Sequence, residues 1–267
     1  MAITTLDGAI AGFSAPRAFQ KNITPTLVAG RPWSLWGLAG NPGAGSFDTT
    51  LNGVTLSSAQ NGQLPWSDPA SGSKYLARFV GAATIAGTLI LADRLWHNGG
   101  YTITSTSAQN STTPTWPSRD IAGATSGDGV LLGLEISSAT GAGTPTITIA
   151  YTNQSGTGSR SATNVLTTVA SSAAGSFYQI GLQAGDTGVR SVQSLTLSAT
   201  WTSGTMNLVA YRQICALQLS AANASFAVDL VTSGMPKMYN GSVPFLIFVP
   251  STTTASLISG SVSYTEG

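Results

Sequence analysis

Apolar residues recur along this chain at two different spacings, and the change between them divides it. From about residue 121 the period is two: Val130, Leu132, Leu134 and Ile136 alternate with other residues. So do Ile147, Ile149 and Tyr151, then Leu195, Leu197, Ala199 and Trp201, then Met206, Leu208 and Ala210. Successive side chains of a strand point to opposite faces, so this alternation predicts strands with one buried face. Turn-forming clusters separate them: SGDG at 126–129, TGAG at 140–143, GDTG at 185–188 and TSGT at 202–205. Short strands punctuated in this way predict an antiparallel sandwich or barrel. VPFLIFVP at 243–250 is continuously apolar and bounded by prolines, which suits a strand buried on both faces, and ISGSVSY at 258–264 then closes the sheet.

The first half reads differently. Residues 14–70 carry six prolines between short apolar runs, with GNPGAGS at 40–46, and predict long loops or an extended arm. In KYLARFVGAATIAGTLILADRLW at 74–96 the apolar residues Leu76, Phe79, Val80 and Ala83, and later Leu89, Ala92, Leu95 and Trp96, fall three and four apart. With Asn98, Gly99 and Gly100 as a stop signal, that spacing predicts a helix, bent near Gly81 or Gly87. The resulting expectation is an all-β, antiparallel, jelly-roll-like sandwich with an irregular N-terminal arm and one short helical segment. Its parts are an arm over 1–72, a helical segment with connecting loops over 73–120, and the sandwich over 121–267. No internal repeat of fixed period is present, which disfavours a solenoid or propeller.

Composition sharpens this picture in one respect. Charged residues make up 8% of the 267 residues, against roughly 25% in an average soluble domain, and serine and threonine supply roughly a quarter of the chain. A hydrophobic content of 42% with a net charge of +1 is that of a folded chain, not a disordered one. A near-neutral surface favours association, and interface cores are depleted in charge. Burial against further copies or partners is therefore expected. The eleven basic residues are scattered singly, without the stripe that tracks a phosphate backbone. Neither a Sec-type leader nor an apolar run of ~18 residues is evident, so no membrane role is expected.

Candidate chemistry is sparse. TITIAYTNQSGTGSRS at 146–161 has the glycines of a phosphate loop, but Arg160 stands where a Lys-Ser/Thr pair would be needed, and the strand-favouring SATNVLTTVASS follows. A β-hairpin turn is the expected role. Any Ser/His/Asp or Cys/His arrangement must use the single histidine, His97, which is expected to cap a helix end instead. The single cysteine, Cys215, lies in AYRQICALQL, a strand pattern in which it is expected as a small core residue. Zinc would need several His and Cys ligands. Asp128 and Asp186 sit in glycine-flanked loops that calcium could use, but D-x-[DN]-x-[DN]-G does not occur and turn formation is the expected role. The ten carboxylates are dispersed, and six tryptophans could serve either a sugar-stacking platform or subunit contacts. No catalytic, cofactor-binding or metal-binding residue is assigned.

PTITIAYTNQSGTGSRSAT at 145–163, LQAGDTGVRSVQSLTLSATWTSGTMNLVAYRQI at 182–214 and LISGSVSYTEG at 257–267, with LWHNGGYTITSTSAQ at 95–109, resemble a group of tailed-bacteriophage virion structural proteins. The resemblance covers roughly the second half and carries no catalytic residues. It implies a β-sandwich protein present in many copies on the particle, assembled in the bacterial host cytoplasm. The role it suggests is a head cement, decoration or minor capsid protein that clamps neighbouring capsid subunits. Expected partners are further copies of itself, as a homo-oligomer and by preference a trimer, and the major capsid protein or other virion proteins. The alternative is a carbohydrate- or receptor-binding module of a fibre or tail, which would present exposed aromatics at one end of the sandwich.

Overall fold

The computed structural model of the chain describes residues 3–267. It opens with one short helix, α1 (Leu6–Ala11), capped by the Thr5 hydroxyl, which accepts a hydrogen bond from the Gly8 amide at 3.1 Å. The rest is strand and loop. The first part contains β1 (Arg17–Ile23), β2 (Trp33–Ser34), β3 (Gly40–Asn41), β4 (Val54–Thr55), β5 (Lys74–Ala83), β6 (Gly87–His97) and β7 (Gln109–Asn110). The middle contains β8 (Val130–Ser138), β9 (Ile147–Asn153), β10 (Arg160–Asn164), β11 (Phe177–Gly181) and β12 (Val189–Leu197). Last come β13 (Thr205–Leu219), β14 (Phe226–Val228), β15 (Lys237–Met238), β16 (Pro244–Pro250) and β17 (Ser256–Glu266).

These strands form two antiparallel sheets. The smaller runs β14-β5-β17-β1-β3, with β15 also on β5; the larger runs β2-β16-β6-β13-β8-β11-β10-β9-β12-β7, with β4 on β6. The fold is thus the all-β antiparallel sandwich expected, with a single short helix, and the larger sheet curls into a half-barrel. Three apolar cores result. One fills the curl, where Val130, Leu132, Leu134 and Ile136 of β8 meet Ile147, Ile149 and Tyr151 of β9 and Leu195 and Leu197 of β12. A second lies between the sheets, from Phe79, Ile258 and Val262 to Leu89, Leu217 and Phe248. The third covers the other face of β6, β13 and β16 with Trp36, Phe47 and Leu56 from the early loops.

The stretch 74–96 is not helical. Its residues form β5 and β6, joined by a turn at Thr84–Ala86. Two physical effects produced the helix-like spacing. On β5, Leu76 opposes Tyr264 and Arg78 opposes Ser263, so Ala77 is an extra residue, a bulge that shifts the alternation and sets Leu76 and Phe79 three apart. On β6, cores lie against both faces, so Leu89 and Leu91 enter one core while Ile90 and Ala92 enter another, and no period of two survives. At Gly81 a Cβ would meet Leu89 Cδ2 at 2.9 Å and Leu217 Cδ2 at 3.1 Å, so a larger residue would have to displace side chains of the inter-sheet core.

Nor are residues 3–72 an extended arm. Strand β1 pairs with β17 along its whole length, Arg17 opposite Val262 through Ile23 opposite Ser256. Lys21, 2% exposed, donates to the carbonyls of Leu38 at 2.6 Å and Gly43 at 3.0 Å, and burial lowers its pKa to about 8. Phe19, Ile23, Leu27, Trp33, Leu35, Trp36 and Leu64 are all buried. Detaching the segment would cost ~1.5–3 kcal/mol for each such side chain. The total accessible area, 10403 Å², agrees with the about 10,800 Å² expected of a folded monomer of this mass. The prolines therefore interrupt strands without preventing the loops from packing: β2 and β4 are only two residues long, yet each lies on the large sheet.

Candidate functional site

The densest concentration of ionisable groups lies where β6, β8 and β13 run side by side. Asp93 and Arg94 are adjacent on β6 and project to opposite faces. Arg94, with no exposed surface, donates from Nη1 to Glu135 Oε2 of β8 at 2.7 Å, a pair in which both side chains are fully buried. Its Nε and Nη2 lie 3.2 and 2.9 Å from His97 Nδ1, and its guanidinium stacks 4.6 Å from the Trp36 ring and 5.4 Å from Phe245. Burial, reinforced by the positive charge of Arg94, lowers the His97 pKa to about 2, so the imidazole stays neutral and accepts. The free oxygen Glu135 Oε1 is buried without a protein partner, and Glu135 borders a cavity of about 50 Å³ with Ser34, Gly37 and Gly175, room for ordered water.

On the other face Asp93 Oδ2 accepts from the Ser242 hydroxyl at 2.9 Å, and Oδ1 accepts from the Val243 amide at 2.8 Å. Arg119 Nε and Arg212 Nη2 stand 3.3 and 3.7 Å from Oδ2. Arg119 also donates to the carbonyls of Gly241 and Arg94, and Arg212 covers the Tyr239 ring at 5.1 Å. This network ties the loops at 119 and 239–243 to the centre of the large sheet. A buried charge is tolerated only when paired, so it fixes which segments meet here. Its members were missed in the sequence. The available signal was the pair Asp93-Arg94 inside the apolar run LILADRLW.

The candidates singled out by sequence are dispersed. His97 ends a strand rather than a helix, because β6 replaces the expected helix, and it is buried between Val54 of β4 and Val209 of β13. Cys215 is half-buried at the margin of the inter-sheet core rather than inside it, and burial raises its thiol pKa. The glycine stretch at 156–158 is the turn of the β9–β10 hairpin, with Arg160 opposite Tyr151. Asp186, whose side chain is 2% exposed, accepts from Arg160 Nε at 2.8 Å, Asn153 Nδ2 at 2.7 Å and Tyr151 Oη at 2.5 Å. Arg160 above all, aided by Tyr151 and Asn153, lowers its pKa to about 2 against the cost of desolvation.

Asp128 accepts from the Thr187 hydroxyl at 2.5 Å, and Asp120 accepts from the Ala122, Ala124 and Gly127 amides and the Ser126 hydroxyl. Burial raises the Asp120 pKa, but those four donors outweigh it and the net shift is downward. Among the described residues no three of His, Cys, Asp and Glu group to hold a metal, and no helix is long and apolar enough to cross a membrane. All six tryptophans are buried, so none is available to a sugar ring. The open groove of about 350 Å³ beside β12 is lined by Thr113, Thr115, Thr125, Thr152, Ser191 and Arg190, which can donate hydrogen bonds but supply no general base.

No protein-family model matches the chain, and no curated protein matches it. Among solved structures it aligns with VP2 of infectious bursal disease virus in a subviral particle, at 7% identity over 96% of this chain and 81% of that one, with a TM-score of 0.18. It also aligns with virus-derived T=1 particles at 10% identity, over 96% and 79%, with a TM-score of 0.14. Both neighbours are proteins of virus particles, and at these TM-scores the alignments carry no argument about this chain.

Proposed function

We propose that this chain is a non-enzymatic structural protein of a tailed-phage particle, a head cement, decoration or minor capsid protein assembled in many copies. The observation that carries the reading is the exterior. Of eleven basic and ten acidic side chains, Lys21, Lys74, Asp93, Arg94, Arg119, Asp120, Glu135 and Arg212 are buried. The Asp186 carboxylate is also withdrawn, with 2% of its side chain exposed, and the remaining twelve are spread over 10403 Å², about one per 870 Å². An area of about 800 Å² is one partner's share of a standard protein interface. A patch of that size on this surface thus holds on average one charge, and charges are what interface cores exclude.

The sequence resemblance to virion structural proteins points the same way, and so does the use of Asp93, Asp120, Asp128 and Asp186 to hold loops. A clamp role would rest on the folded body, since residues 3–72 are packed against it. Many copies on a lattice sum weak contacts into strong attachment. The test is quantitative mass spectrometry of purified particles. A copy number on the order of hundreds supports a head-lattice role, in which multiplicity supplies the avidity; a handful of copies, or none, refutes it.

A further inference from the structure

One flank of the sandwich is unfinished in both sheets. Along β13, residues Val209–Arg212 are paired on both sides, by β6 and by β8, but Gln213–Leu219 pairs with β6 alone because β8 begins at Val130, opposite Arg212. In the other sheet β14 pairs with β5 alone. The outer backbone groups of Gln213–Leu219 and of β14 make no backbone hydrogen bond to any other described segment. Between these edges Ile214, Cys215, Phe226 and Val228 are only partly buried against the inter-sheet core, leaving an apolar seam at the surface.

Unpaired edges are normally blunted by lysine, proline or a covering loop. The opposite end of the large sheet is treated in that way. Around β12, the Thr113 hydroxyl and the Ser111 amide bond its backbone, and Pro114 and Pro117 follow in the covering segment. The flank at β13 has none of this: QICALQLSAANASFAV, residues 213–228, contains neither a charge nor a proline. Its one irregularity is a bulge at Ile214, after which Cys215–Leu219 is regular.

We infer that this flank is the binding surface for a second copy of the chain, joined by antiparallel pairing of β13 with its own counterpart. A free peptide strand could complete one edge but not both. A single two-fold axis through the flank brings β13 to β13 and β14 to β14 and closes the apolar seam between them, which an isologous contact does by construction. Using all of the regular stretch places the axis at Leu217, with Ala216 of one copy opposite Gln218 of the other. The absence of charge means that the two copies meet without repulsion. The contact yields a dimer; a trimer would need a second, different interface. The inference stands apart from the particle role, because it concerns the purified chain and not its copy number in virions.

The test is sedimentation velocity on the purified chain and on two double variants, A216K/Q218K and A216E/Q218E, whose altered side chains are exposed in the monomer. The wild type is expected to dimerise. Each double variant sets like charges directly opposite one another and is expected to be monomeric, with an unchanged circular dichroism spectrum. An equimolar mixture of the two is expected to recover the dimer, which an unfolded variant could not do. A wild type that stays monomeric to its solubility limit overturns the inference. So does a dimer that persists in either double variant, or a mixture that stays monomeric.

Discussion

Stability should fall as the pH drops from 7 to 5, and nearly all of the fall should come from His97. Below its ordinary pKa of about 6.5 a histidine in the unfolded chain takes up a proton. In the folded protein His97 does not until the pH approaches about 2, because it is buried beside the Arg94 guanidinium. Over that interval the unfolded state binds more protons, so stability rises with pH and is lost on acidification. For a single site, the difference between pH 7 and pH 5 is about 1.9 kcal/mol in favour of unfolding. With a urea dependence of about 1–3 kcal/mol/M, the denaturation midpoint moves down by roughly 0.6–2 M.

His97 is the only histidine, so no other side chain has its ordinary pKa in that window. Carboxylates with unfolded pKa values near 4 contribute little above pH 5, and what they contribute is common to wild type and variant. The comparison protein is H97N, whose amide oxygen can accept from Arg94 where Nδ1 does now. The assay is urea unfolding at pH 7, 6 and 5, followed by the fluorescence of the six buried tryptophans. Wild type should lose stability across the series and H97N should stay nearly flat. Parallel slopes in the two proteins would refute the reasoning.

Two further outcomes can be checked in the same way. Glu135→Gln leaves the buried Arg94 without its counter-charge and should cost about 3–5 kcal/mol, whereas the joint replacement R94M/E135L should recover most of that loss in a double-mutant cycle read by urea denaturation. Asp186→Asn removes the charge that gathers Arg160, Tyr151 and Asn153, so hydrogen exchange should quicken in β10 and in the turn at 183–187 while β8 is unchanged; in the wild type that protection should persist down to about pH 3, because the Asp186 pKa lies at about 2.

Where one face of a strand is buried and the other is wet, the amino-acid pattern was sufficient. Strands β9 and β12, and the hairpin turn at Gly156, follow from alternation and turn chemistry, since each side chain's polarity reports the face it occupies; β8 alternates as well, although Gly133 and Glu135 on its second face are also buried. Strand β16 was legible because prolines fixed its ends and its length ruled out a helix. Strands β5 and β6 were not legible. A bulge at Ala77 broke the alternation of one, and burial on both faces erased it in the other, so local spacing imitated a helix. The ion network was hidden for a related reason: Arg94, Glu135 and His97 are brought together by sheet register, which no local pattern encodes.

That this is a β protein of neutral exterior was already written in the chain, because the alternation of polarity and the scarcity of charge exist before it folds. Folding alone settles that the proline-rich segment 3–72 belongs to the body, that the charges at 93 and 94 face into it, and that one flank is left open. Those outcomes depend on which distant segments become neighbours: β1 on β17, Trp36 over Arg94, and β8 ending short of Gln213. Such pairings are selected by the summed burial and hydrogen bonding of the whole chain, and a short window of sequence carries only its own share of that sum.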